Sequence, residues 1–161
     1  MMTALKEDSR LRDIIIKVDQ KDLSSFKHNT SKIGIAIIGF PFDEGCKRNG
    51  GRPGAKDGPS VFRYHLYKIG CHPNPEWSIR LSDSVVIYDF GDIDCQLNYD
   101  ESHSKLSVIV DQLLNKNLIP FIIGGSNDES YFNFLGFTNY LKKMNHLRDN
   151  FGVVNIDAHF D

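Results

Sequence analysis

Three side chains at the end of the sequence alternate in a way that suits a metal ion. In "VVNIDAHFD" the residues Asp157, His159 and Asp161 stand two apart, so an extended backbone sets all three on one side. Two carboxylates and an imidazole make a hard-to-borderline donor set, suited to manganese, magnesium or iron more than to a thiolate-seeking ion. Turn-capping aspartates beside an ordinary polar histidine are the plainer reading. Strict alternation at the end of an apolar run favours the metal. Earlier in the chain, "FIIGGSNDE" (121–129) ends a similar run in Gly124 and Gly125, then delivers Asn127 and Asp128. The glycines permit close backbone approach. The same stretch also reads as a strand-to-helix turn, with Ser126 or Asn127 as N-cap and Glu129 in the first turn. On residue physics alone the two readings are even.

Such donors need strands to hold them. "IGIAIIGF", 33–40, is a continuously apolar run of the kind that fits a strand covered on both faces. "SVVIYDFGDID" (84–94), "FIIGG" after Pro120, and "GVVNID" before Ala158 read as three more strands. Between them lie helical patterns. One starts at Asp57-Gly58-Pro59, carries Val61, Phe62, His65, Leu66 and Ile69 on one stripe and stops at Gly70. A second spans 104–117, with Leu106, Ile109, Val110, Leu113 and Leu114 aligned, and a third spans 129–147. Four strand–helix alternations predict an α/β fold, a parallel sheet between two helical layers. Ligands bind beyond the carboxyl ends of the strands in such sheets, which is where Asp43, Asp92, Asn127 and Asp157 to Asp161 fall. Residues 1–31 are polar apart from "LRDIIIKV" and are expected to form an N-terminal helix or arm on a main body spanning 32–161.

The composition removes several classes of function. With 40% hydrophobic and 25% charged residues and a net charge of -2, the 161-residue chain is ordinary globular material with no electrostatic footprint for nucleic acid or anionic membrane. The three cysteines, Cys46, Cys71 and Cys95, match neither a disulfide framework nor a zinc knuckle. The polar start "MMTALKEDSRLRD" has no apolar signal core, and no run reaches the ~20 apolar residues that cross a bilayer. A cytoplasmic protein is the expectation.

"GGSND" followed by "DAHFD" resembles the ureohydrolase (arginase, agmatinase, formiminoglutamase) superfamily, whose pattern is GG-x-H-[DS] and then D-A-H-x-D. The loop "GFPFDEGCKRNGGRPGAKDGPSVFR" looks like the formiminoglutamase branch, in which a strand is followed by N-G-G-R-x-G-A-x-x-G-P and an arginine on the first helix. The motifs span 33–161 in family order. The resemblance implies an arginase-type three-layer α/β/α fold, here truncated after about four strands, as the N-terminal half of a catalytic domain. It further implies a centre of two Mn2+ ions, with Asp157, His159 and Asp161 as ligands and Asn127 in a fourth ligand position that is normally histidine. Asp161 would bridge the ions. The family's remaining ligands lie beyond this sequence, so the fragment alone is expected to be inactive. An amide oxygen is a poorer donor than imidazole, which predicts a weakly held or absent ion at that corner.

The implied reaction is hydrolysis of N-formimino-L-glutamate to L-glutamate and formamide, a step of histidine degradation. Asp128 would orient a ligand or the attacking water, or else act as an acid favoured by a helix N-terminus. Arg48, Arg52 and Lys56 are candidates to receive the carboxylates of this small-molecule substrate; for each, a solvated loop charge is the alternative. Arg63 is expected in a structural ion pair, and Asp89, Asp92 and Asp94 in a structural turn. Cys46 is read as an inert thiol, and His28, His65, His72, His103 and His146 as surface or packing residues. A homo-oligomer is expected from the resemblance. Two other functions compete: a ureohydrolase acting on a guanidino substrate, and a non-catalytic relative serving as a binding or partner subunit.

Overall fold

The computed structural model describes residues 9–95, 98–145 and 151–157. Its frame is a parallel sheet of β1 (Ile16–Lys17), β2 (Ile33–Phe40), β3 (Val85–Asp92) and β4 (Leu118–Gly124), in the spatial order β1-β3-β2-β4. The helices are α1 (Leu11–Ile14), α2 (Glu44–Arg48), α3 (Gly58–Leu66), α4 (Leu81–Ser84), α5 (Tyr99–Leu114) and α6 (Glu129–Lys143).

The apolar runs form strands because both sheet faces are covered. Ala36, Ile38 and Phe40 of β2, with Tyr88 and Phe90 of β3, meet Leu106, Ile109, Val110 and Leu113 of α5, and Phe132 of α6 joins them. On the opposite face Ile37 and Ile87 pack with Leu11, Ile15, Leu66 and Tyr67. Alternate residues of one strand thus enter two cores, as pleating requires. Complete burial of a side chain such as Phe40 stabilises the fold by about 2–3 kcal/mol.

The expected three-layer parallel architecture is present, with differences in detail. The stripe on α5 is buried as its spacing predicts, but the helix starts at Tyr99, where Asn98 Oδ1 accepts the Glu101 N–H at 2.9 Å. Pro120 lies inside β4 instead of preceding it; β4 is an edge strand, where a residue lacking N–H is tolerated. α3 ends at Leu66, short of the expected stop at Gly70, and Val61 and Ile69 of the predicted stripe are exposed. The N-terminal stretch forms the short α1 and then β1, whose register pairs Ile16 with Tyr88. The expected strand over 152–157 is not formed. Residues 151–157 carry no strand, and Val153, Val154 and Ile156 are 71%, 88% and 96% exposed. Pairing on the β4 edge would order this segment with no described element to cover its outer face, so little burial offsets the lost entropy. The fourth strand of the sheet is β1.

Candidate functional site

After β2 the chain runs to β3 on one side, and then to β4 on the other. The carboxyl ends of β2 and β4 therefore flank the point where strand order reverses, the place where open parallel sheets bind ligands. The two tips are locked together: Ser126 N–H donates to Phe42 O at 3.0 Å. A Cβ on Gly125 would collide with that same carbonyl, so only glycine permits the approach. The segments that follow the two strands are thereby joined at their tips.

On the β2 side lies a cleft of about 390 Å³ whose lining includes Asp43, Lys47, Arg48, Lys56, Cys95 and Tyr99. Asp43 is buried, accepting the Gly54 N–H at 2.7 Å and pairing with Lys47 Nζ at 2.9 Å. Those two contacts hold its carboxyl below the ordinary range, the Gly54 amide contributing most. Asp43 thus ties the glycine-rich loop to the strand end. Arg48 stacks over the Tyr99 ring at 4.5 Å and pairs loosely with Glu44 at 3.5 Å. The structure brings Arg48 and Lys56 into one cleft, together with Asp43, Glu44 and Lys47. Arg52 is exposed outside that lining, with its carbonyl taking the Cys46 thiol at 3.1 Å.

Asp128 sits behind this cleft. Its carboxylate lies over Gly45, accepts from Ser126 Oγ and Tyr99 OH, and faces His103 Nε2 at 2.8 Å. Burial opposes its charge, but those donors and the His103 ring keep the carboxyl below its usual value. His103, expected to be an ordinary surface or packing residue, is fully buried. Its place in the sequence carried a signal. A histidine at helical spacing from Leu106 and Val110 puts a polar ring on an apolar stripe.

Asn127 is exposed and lines a different groove, of about 530 Å³, on the free side of β4 with Phe134, Phe137, Val153, Val154 and Asn155. Its Oδ1 accepts from Ser130 Oγ at 3.2 Å, which leaves an acceptor lone pair. The groove also holds the segment leading to Asp157, an exposed residue. His159 and Asp161 lie outside the described residues. Among the described residues no three His, Cys, Asp or Glu side chains converge on one point. The donor types nevertheless fit a hard divalent cation: an amide oxygen with a free lone pair, and carboxylate and imidazole groups on one short segment. Glu129 was missed as a chemical group. It folds back over Gly124, its Oε2 is buried with no hydrogen-bond partner among the described residues, and burial pushes its carboxyl up to about 7.

Arg63 and the β3 end have structural roles, as expected. Arg63 donates twice to Asp89 (Nε–Oδ2 2.8 Å, NH2–Oδ1 2.9 Å), reaches Asp92, and donates to Gly91 O at 2.8 Å. Tyr67 OH completes the cluster at 2.5 Å from Asp89. Burial, then the bond to Asp89, pushes the Tyr67 phenol up to about 12. Among the described residues no helix is long and apolar enough to cross a membrane.

The pattern of the Arginase family matches residues 33–161. The formimidoylglutamase of Clostridium tetani is 35% identical over 147 residues, covering 91% of this chain and 40% of that protein. The Trypanosoma cruzi formiminoglutamase (oxidized) with Mn2+2 at pH 6.0 superposes with a TM-score of 0.66 at 37% identity, over 84% of this chain and 43% of that one. An asparagine-to-histidine variant of the T. cruzi protein, also with Mn2+2, gives a TM-score of 0.66 at 37% identity, over 84% and 41% of the two chains. The chain spans less than half the length of these relatives.

Proposed function

The chain belongs to the arginase family, and from that premise we propose that it forms the first half of a manganese-dependent hydrolase of formiminoglutamase type. The observation that carries this is the interlock at the switch point, where Ser126 N–H meets Phe42 O. Through it the "GGSND" turn is tied to the end of β2, from which the "NGGRPGAKDGP" loop departs, at the carboxyl ends of adjacent strands. Relatives bearing the formimidoylglutamase and formiminoglutamase names, at 35% and 37% identity, support the same branch.

Asn127, Asp157, His159 and Asp161 are the residues that would hold the metal. Bound manganese supplies Lewis-acid activation of water near neutral pH. The chain's own residues do the rest of the work proposed here. Arg48 and Lys56, in one cleft, receive the carboxylates of N-formimino-L-glutamate, with Arg52 of the same loop as a further candidate. Arg48 is preorganised for this by the Tyr99 ring beneath it. Asp128, held by Ser126, Tyr99 and His103, orients the turn bearing Asn127. Water adds to the formimino carbon, and cleavage of the C–N bond gives L-glutamate and formamide. A cytoplasmic, histidine-degrading homo-oligomer belongs to the same proposal.

The test is a comparison on the full-length gene product. Formiminoglutamate, arginine and agmatine are supplied side by side with Mn2+, before and after chelation. Chelator-sensitive release of formamide from formiminoglutamate alone is expected. Turnover of a guanidino substrate in preference, or activity indifferent to chelation, overturns the reading.

A further inference from the structure

We propose that His103 is a positioning residue, a buried imidazole that holds the Asp128 carboxylate and through it fixes the turn presenting Asn127. His103 lies in a box of aromatic rings from three elements and a loop, with centroids at 5.0 Å to Phe40, 5.2 Å to Phe42, 4.1 Å to Tyr99 and 4.5 Å to Phe132. Its exposure is 0%. Such a box would accept phenylalanine with no desolvation penalty, whereas a buried imidazole is unfavourable unless both nitrogens find partners. Nδ1 donates to Tyr99 O at 2.8 Å, and Nε2, which lacks an aligned hydrogen bond, faces Asp128 Oδ2 at 2.8 Å.

The consequence falls on the turn. Asp128 is also gripped by Ser126 Oγ and rests on Gly45, where any larger residue would meet the carboxylate. Ser126 is in turn pinned to Phe42 O at 3.0 Å. Residues 126 and 128 are thus fixed on either side of Asn127, whose own amide oxygen is steadied by Ser130. An amide is a weak ligand, so a donor in its position depends on being held in place. His103 and Tyr99, both carried by α5, reach the Asp128 carboxylate and couple that helix to the strand-tip turn.

The inference rests on the metal reading of Asn127, and its test separates the two. In the full-length gene product, Mn2+ binding is titrated by electron paramagnetic resonance and thermal midpoints are recorded. Wild type is compared with His103→Leu, His103→Gln, Asp128→Asn and the His103→Leu/Asp128→Asn double variant. Loss of the imidazole is expected to weaken the more loosely held Mn2+ by about 10–100-fold. The glutamine variant, which keeps an N–H donor toward Asp128, recovers most of that loss, and the double variant binds no worse than Asp128→Asn alone. Unchanged Mn2+ affinity in His103→Leu, beside a lowered thermal midpoint, makes His103 a packing residue and overturns the proposal. Should the leucine variant not fold, unchanged affinity in Asp128→Asn overturns it equally. A wild type that binds no Mn2+ overturns the metal reading itself and the positioning role with it.

Discussion

Glu129→Gln gives a pH-dependent test of the strand-tip geometry. Glu129 opens α6 with its carboxyl folded over Gly124, and Oε2 is buried without a partner among the described residues. Burial is the main reason its carboxyl rises from 4.5 to about 7; the neighbouring Asp128 charge adds to this, and the Gly125 amide offsets part. The native chain thus keeps a proton that the unfolded chain releases near 4.5. Between those values the native state binds more protons, so stability is highest below 4.5 and falls as pH rises to about 7. At ~1.4 kcal/mol per pH unit the gap corresponds to at most ~3.5 kcal/mol, which partial solvent contact reduces to ~1–2 kcal/mol. The glutamine variant lacks this titration. Urea unfolding followed by circular dichroism at about pH 5 and about pH 8 measures it, because the wild-type-minus-variant difference cancels every other titrating group. The variant is expected to gain ~1–2 kcal/mol over wild type at the higher pH, with little difference at the lower. A difference independent of pH, or a loss that grows with pH, means that the carboxylate is solvated or paired, and the buried geometry is wrong.

Four further outcomes follow from packing and donor chemistry. Arg63 and Asp89 are 14% and 4% exposed in their side chains, so Asp89→Asn, which leaves the guanidinium without its partner, is expected to cost ~3 kcal/mol in chemical denaturation. Arg63→Lys should recover only part of the stability, because one ammonium cannot reproduce the forked contact with Asp89 and Gly91 O. Gly136→Ala places a Cβ 2.5 Å from Ser107 O on the facing helix, so α5 and α6 must separate, and a loss of ~1–3 kcal/mol is expected in the same measurement. Asn127→His replaces an amide oxygen with imidazole in the implied ligand position and should tighten Mn2+ binding by about tenfold, ~1.4 kcal/mol, read by resonance titration of the full-length protein.

The parallel sheet was legible because the signal is local and redundant. "IGIAIIGF" is apolar throughout, since both of its faces are covered, and the α5 stripe of Leu106, Ile109, Val110 and Leu113 has a period that only a helix satisfies. A structural ion pair was expected of Arg63 on its helix, and the fold supplies Asp89 as the partner. The segment 151–157 had an equally strong strand pattern and is not a strand in this structure. Apolarity states what a segment would bury, and the partner that receives it has to come from elsewhere in the fold. β1 shows the converse: two residues, Ile16 and Lys17, pair with Tyr88 and Asp89 because the edge of β3 is within their reach, with no periodicity to announce them.

The candidate site divides along the same line. Asn127, Arg48 and Lys56 stand out by residue type in or beside glycine-rich segments that follow the strands. His103 and Glu129 acquire their chemistry only from tertiary placement. His103 becomes a carboxylate partner because α5 carries it under Phe42 and against Asp128. Glu129 becomes a near-neutral acid because its helix starts where Gly124 leaves room for it to fold inward. A glycine therefore acts twice at this crevice. At 125 it lets two strand tips touch, and at 124 it admits a carboxyl group out of water. The same bare backbone that brings the motifs together creates the buried polar groups beside them, so packing and electrostatics at the strand tips cannot be altered independently.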